Sequence, residues 1–201
     1  VTASRLAIVV LLAAPAWADT PAPARPAVSR EEAQSFERKL DIIKRQSQAK
    51  GPGRPDSVLV TEGELNSYLN LTYAPRMPPG VSDVNVRLEA ERIRASGLLD
   101  LERVRGNVPA PSAWSPLAYL RGKVSVELAG RLQTRDGYGT FAVEDASIAS
   151  IPVPMVLLEQ IVSSATKKPS DPDGINLNER FRLPYAVSRV RVGMARAVLD
   201  F

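Results

Sequence analysis

Val124-Ser125-Val126-Glu127-Leu128-Ala129-Gly130-Arg131-Leu132-Gln133 alternates apolar and polar side chains, and Asp136-Gly137 follows shortly after it. Phe141 and Val143 then resume the alternation toward Ile148. A period of two puts Val124, Val126, Leu128, Gly130 and Leu132 on one side of a strand, with Ser125, Glu127, Arg131 and Gln133 on the other. Asp-Gly suits a two-residue hairpin turn, whose two central positions both need positive φ. The stretch predicts an antiparallel hairpin with one dry and one wet face.

The same period extends in both directions. Val84, Val86, Leu88 and Ala90 alternate with Asn85, Arg87 and Glu89, and Ile93, Ala95, Leu99 and Leu101 keep the parity of a second strand. Pro109, Pro111 and Pro116 make Arg105–Pro116 a loop. Near the end, Val190 and Val192 oppose Arg189 and Arg191, a turn falls near Gly193, and a return strand runs through Val198 to Phe201.

Helical signals punctuate these strands. Ser29-Arg30-Glu31-Glu32 reads as a capping box, and Ala33, Phe36, Leu40 and Ile43 then recur at helical spacing to about Gln48, before Gly51-Pro52-Gly53. Thr61-Glu62-Gly63-Glu64 is a second capping box, opening a short helix with Leu65, Tyr68 and Leu69 on one face. Pro75, Pro78, Pro79 and Gly80 close it. Ile151-Pro152-Val153-Pro154 leads into a third helix, where Met155, Leu158, Ile161, Val162 and Ala165 share a face that Val156 and Leu157 widen. So broad a stripe predicts deep burial.

Composition narrows the chemistry. The 201 residues are 44% hydrophobic and 24% charged, with no Cys and no His. That apolar fraction suits a folded domain with a sizeable core. Disulfides, thiolate nucleophiles and cysteine-ligated metals are excluded, and the usual general base near neutral pH is missing. No cofactor is expected. Arg5 followed by Leu6–Ala14 and Ala16-Trp17-Ala18 reads as a secretory signal cleaved after Ala18, with Val1 as an alternative start. The apolar run is shorter than the roughly 20 residues of a membrane span. With no Cys to acylate, the expected location is the periplasm or the medium of a bacterium. Removing residues 1–18 lowers the net charge of +4 by one. That mild excess and the export signal argue against a nucleic-acid partner. The predicted organisation is therefore a signal peptide at 1–18, a Pro/Ala linker at 19–28, an amphipathic helix at 29–50 and an α+β domain at 58–201.

Candidate chemical motifs have plainer roles. Ser47-Gln48-Ala49-Lys50 and Ser164-Ala165-Thr166-Lys167 have the Ser-x-x-Lys spacing of some serine hydrolases, but their partner motifs are absent and a helix C-terminus favours a cation anyway. Glu62 and Glu64 belong to a capping box. Glu144 and Asp145, adjacent on a strand, are expected on opposite faces. Asp171-Pro172-Asp173-Gly174 begins like a calcium loop but lacks Glu at the twelfth position. Asn70-Leu71-Thr72 is a glycosylation sequon by letters alone. Arg180, Arg182, Arg189, Arg191 and Arg196 enrich the last segment, and Arg189 with Arg191 could form a headgroup-binding strip.

The order of elements resembles a family. Thr61-Glu62-Gly63-Glu64-Leu65-Asn66-Ser67-Tyr68-Leu69 is followed by Pro79-Gly80-Val81-Ser82-Asp83-Val84-Asn85-Val86, the Val124–Leu132 strand, the Asp136-Gly137 turn, the Ile148–Pro154 passage into an apolar helix, and Val198-Leu199-Asp200-Phe201. Over about residues 58–201 this is similar to the small, single-domain bacterial branch of the tubular lipid-binding (TULIP) superfamily. The resemblance implies a long curled antiparallel sheet wrapped around an apolar helix, a TULIP-like half-barrel, with the N-terminal helix as an extra element. It also implies a non-catalytic protein that binds or carries a lipid or other hydrophobic molecule in an apolar tunnel. The inward set would be Leu65, Leu69, Val84, Val86, Leu88, Val126, Leu128, Phe141, Val143, Met155, Leu158, Val162, Val190 and Val192. The alternative is a fully packed envelope interaction protein, without a lipid ligand, that docks a membrane complex through the helix at 30–48 or the basic terminal strand.

Overall fold

The hairpin at Asp136-Gly137 forms as its sequence demands, with Arg135 paired to Tyr138 and φ of 51° and 78° at the two turn residues. A computed structural model describes residues 27–48, 56–104, 119–166 and 179–201. The signal sequence, most of the linker, the Arg105–Pro116 loop, the Asp171–Gly174 turn and parts of both Ser-x-x-Lys tetrads lie outside those residues.

Along the chain come α1 (Arg30–Gln48), β1 (Ser57–Thr61), α2 (Glu62–Ser67), a π-helical turn at Tyr68–Thr72 and a 3-10 turn at Ala74–Arg76. β2 (Val81–Glu89), β3 (Arg92–Asp100) and a short α3 (Leu101–Val104) follow. The second half contains β4 (Lys123–Arg135), β5 (Tyr138–Ile148), β6 (Ile151–Pro152), α4 (Met155–Thr166), β7 (Phe181–Arg182), β8 (Arg189–Gly193) and β9 (Arg196–Asp200). The protein is α+β. β2 through β6 form an antiparallel sheet in sequential order, and β7 adds to β5 as its sixth strand.

The terminal strands do not extend that sheet. β8 and β9 join β1 in a separate three-stranded sheet of order β1-β9-β8. Expectation and structure part here: the period-two pattern assigns no strand to Ser57–Thr61, yet β1 pairs along its whole length with β9. Val58 and Val60 of β1 meet Phe36 and Ile43 of α1, with Leu183 and Val187, in a buried core flanked by Leu65, Tyr68, Val190 and Leu199. α1 thus contributes directly to the packed interior. α4 is the second departure. Met155 is 38% exposed and Val156 69% exposed, and no described strand packs extensively against this helix. Among the described residues the start of the stripe is exposed rather than deeply buried, and no sheet wraps around the helix.

Two bulges keep the large sheet's dry face continuous. Asp145 pairs with Ala129 but Val143 with Gly130, so Glu144 is an extra residue in β5. Without it, Phe141 and Val143 would face away from Ala146 and Ile148. The bulge also places Glu144 and Asp145 on the same, outer face, correcting the expectation that they diverge. A second bulge lies between Ser82 and Asn85, where Asp83 takes a φ of 51°. Where the dry face narrows to glycine, an aromatic ring covers it. An added Cβ would meet the Phe141 ring at Gly130 (2.8 Å) and the Phe181 ring at Gly139 (2.7 Å).

The exposed edge of each sheet is closed by the rest of the molecule. On β2, the fully buried Asn66 amide accepts from Val86 N–H (2.6 Å) and donates to Val86 C=O (2.7 Å). Asn70 donates to Val84 C=O (2.6 Å), and Glu62 accepts from Leu88 N–H (2.7 Å). Glu62, Asn66 and Asn70 recur every four residues, about 6 Å of helix, while Leu88, Val86 and Val84 recur every two residues, about 6.6 Å of strand. The near match lets one helical face stand in for a neighbouring strand. Asn70 is committed to this contact, which accounts for the sequon residue without glycosylation. On β8, Ser188 C=O accepts from Gly137 N–H (2.9 Å) and Val192 C=O from Glu91 N–H (3.0 Å). Between them Thr134 Oγ1 accepts from Val190 N–H (2.8 Å) and donates to Val190 C=O (2.9 Å). The small sheet is thereby fixed across the turn end of the large one.

Candidate functional site: the dry face of the large sheet

Strand register assembles the site. Leu88 pairs with Ile93, Val86 with Ala95, Ala95 with Leu128, Gly97 with Val126 and Leu99 with Val124. Leu128 then pairs with Ala146, Val126 with Ile148, and Ile148 with Ile151. Every side chain in these rows is apolar or absent. Leu88, Val124, Ala146 and Val153 are buried, while Val84, Val86, Val126, Leu128, Phe141, Val143 and Ile148 are half-buried. The opposite face is charged. Arg131 Nε lies 2.6 Å from Glu144 Oε1 and Arg92 Nε 2.9 Å from Glu144 Oε2, with Glu89 near Arg92 and Arg94. Arg92 Nε is buried without a well-angled hydrogen bond, so its contact with Glu144 is ionic.

The structure sorts the predicted inward residues into three groups. Val84, Val86, Leu88, Val126, Leu128, Phe141 and Val143 share the dry face. Leu65 and Val190 flank the separate core of α1 and the small sheet, and Val192 lies on β8 of that sheet. Leu69, in the π-helical turn, is half-buried. Met155, Leu158 and Val162 lie on α4, Met155 exposed and the other two half-buried. The headgroup strip fares differently at its two positions. Arg191 is held by Asp200 through Nε (2.9 Å) and Nη2 (2.8 Å), which leaves Arg189 as the residue of that pair without a carboxylate partner among the described residues.

At the turn end of the outer face lies a feature not anticipated from the sequence. Tyr138 sits between two open grooves, of about 680 and about 420 Å³. Arg180 stands over its ring, 4.2 Å from the centroid, and β7 pairs Arg182 with Tyr138 across the strand edge. The signal was present as Arg180-Phe181-Arg182, an alternation that puts both guanidinium groups on one side of a strand. What could not be read was which strand β7 would join.

None of the described helices is long and apolar enough to cross a membrane, and no cluster of acidic side chains suited to a metal occurs among the described residues. No family model matches the chain, and neither a curated protein nor a solved structure is significantly similar to it.

Proposed function

We propose that the dry face of the large sheet binds the acyl chain of a lipid or a similarly hydrophobic molecule, without catalysis. The observation that carries the reading is a continuous apolar surface, from Val84 and Val86 through Ala95, Val126 and Leu128 to Ile148, left half-buried. The small sheet covers the turn end of this face, and no other described element packs extensively on the remainder. Each methylene moved from water onto such a surface contributes about 0.8 kcal/mol, so one acyl chain gains enough to be held. The apolar start of α4, with Met155 and Val156 exposed, offers further surface beside the sheet's β6 edge. The resemblance to TULIP proteins in element order supports the same reading, and export from the cytoplasm would place the protein among envelope lipids.

Native mass spectrometry and organic extraction of the purified protein test this directly. Co-purified lipid and saturable uptake of a fluorescent fatty acid are expected, with uptake lost in Val126→Asp and Leu128→Asp variants that keep wild-type circular dichroism. An unliganded mass together with no fatty-acid uptake by the wild-type chain overturns the proposal.

A further inference from the structure

Three arginines without carboxylate partners among the described residues flank Tyr138. Elsewhere on the outer face of the large sheet, Arg92, Arg94 and Arg131 are tied to Glu89 and Glu144. Arg135, Arg180 and Arg182, at the turn end of that face, carry no ion pair among the described residues. Arg135 pairs with Tyr138 across β4 and β5, Arg182 pairs with Tyr138 across β5 and β7, and Arg180 caps the Tyr138 ring. Asp136 is the only carboxylate among the described residues lining either groove.

The aromatic content of this rim is equally specific. Tyr138 and Tyr185 both line the larger groove with Arg182, and each is 42% exposed. Tyr185 and Ala186 both hold a φ of 58° in a turn closed from Val187 N–H to Pro184 C=O. Left-handed backbone at a bulky residue is strained, because Cβ crowds the following carbonyl oxygen. The turn therefore spends stability to present a tyrosine ring to solvent beside guanidinium groups.

We infer that this rim is a docking surface for a membrane rich in anionic phospholipid, with Arg135, Arg180 and Arg182 binding headgroup phosphates and the Tyr138 and Tyr185 rings lying at the interface. Guanidinium groups match phosphate oxygens in geometry as well as charge. Tyrosine rings beside them gain from the interfacial layer, which a dissolved phosphate could not offer. The grooves are open along one side, so they suit a surface better than a small enclosed anion. This inference stands independently of ligand binding on the dry face.

Vesicle flotation decides it. Full-length protein should float with vesicles of phosphatidylcholine mixed with phosphatidylglycerol, stay behind with phosphatidylcholine alone, and release as salt rises. The triple variant Arg135→Gln, Arg180→Gln, Arg182→Gln should partition about a hundredfold more weakly, from roughly a fivefold loss per arginine. A control removing the same charge elsewhere, Arg30→Gln, Arg38→Gln, Arg76→Gln, should lose less than fivefold, and Tyr185→Ser should weaken binding on its own. Equal losses in the two triple variants overturn the inference, as does wild-type flotation that ignores lipid charge. Retention by a single-stranded oligonucleotide with the same arginine dependence, or displacement from vesicles by glycerol phosphate at low concentration, also overturns it in favour of a soluble phosphate ligand. Fatty-acid uptake, measured in parallel, should be unchanged in the triple variant.

Discussion

Glu64 is a carboxylate that the fold surrounds with donors. Lys39 Nζ contacts both its oxygens (2.6 and 2.7 Å), Ser35 Oγ donates to it (2.6 Å), and Thr61 N–H completes the capping box (2.9 Å). Burial pushes its pKa up, but the hydrogen bonds from Lys39, Ser35 and Thr61 and the Lys39 charge together outweigh this and hold it below the ordinary 4.5. Between those two values the unfolded chain binds the extra proton. The stabilisation is therefore complete above about 4.5 and is lost as pH falls through the lower folded-state value. Glu64→Gln should destabilise the protein by about 2 kcal/mol at neutral pH and flatten the acid limb of its stability, as read by urea unfolding at a series of pH values. Ser67 shows a related economy. Its fully buried hydroxyl accepts from Ser29 N–H (3.0 Å) and donates to Glu32 (2.9 Å). The reciprocal box predicted within Ser29–Glu32 is thus relayed through a residue of α2. Gly63 lets Glu32 come this close, since an added Cβ would collide with the Glu32 carboxylate.

At the scale of elements, turns carry the least favourable local choices. Asp136-Gly137 has the residues its geometry asks for. The β5–β6 turn uses Ala149 and Ser150 at φ of 50° and 62°, between the paired Ile148 and Ile151. Neither side chain favours the left-handed region. Replacing the pair by Ala149→Asn with Ser150→Gly should raise stability by about 1 kcal/mol, seen as a higher denaturation midpoint at unchanged urea dependence. An unchanged or lower midpoint would show that something beyond the turn dictates those angles. The β5 bulge illustrates what pattern reading can miss within an element. Phe141 and Val143 have odd numbers and Ala146 and Ile148 even ones, and that switch of parity is the bulge written in sequence. Continued unbroken from Phe141 and Val143, the alternation keeps Glu144 outside but turns Asp145 inward, to the wrong face.

For the whole molecule, the question is how two sheets act as one body. β8 offers Ser188, Val190 and Val192 along its free edge, and Gly137, Thr134 and Glu91 of the large sheet satisfy them. Thr134→Val keeps the shape but leaves Val190 N–H and C=O without their partner. It should cost about 2 kcal/mol and, if the sheets are coupled mainly here, broaden thermal unfolding so that calorimetric and van't Hoff enthalpies diverge. A stability within a few tenths of a kcal/mol of wild type would mean that the flanking backbone bonds suffice.

The sequence by itself determined the local elements. Period-two runs set β2 to β5, Asp136-Gly137 set the central hairpin, and Thr61 with Glu64 set the start of α2, because each depends on residues within a turn or a few strand positions of one another. Within β2, β4 and β5 parity also placed the apolar side chains on one face, whereas the other half of the expected inward set, on α2 and the turn after it, α4 and β8, lies elsewhere. Tertiary structure alone decided the partners. β1 pairs with β9 across nearly the whole chain, Asn66 and Asn70 serve as a substitute strand for β2, and Arg180 and Arg182 find Tyr138 only when β7 reaches the edge of β5. Short segments such as β1 and β7 bury too little on their own to select a neighbour. Their pairing is chosen by which arrangement leaves the fewest edge N–H and C=O groups unbonded, a quantity defined only over the assembled fold.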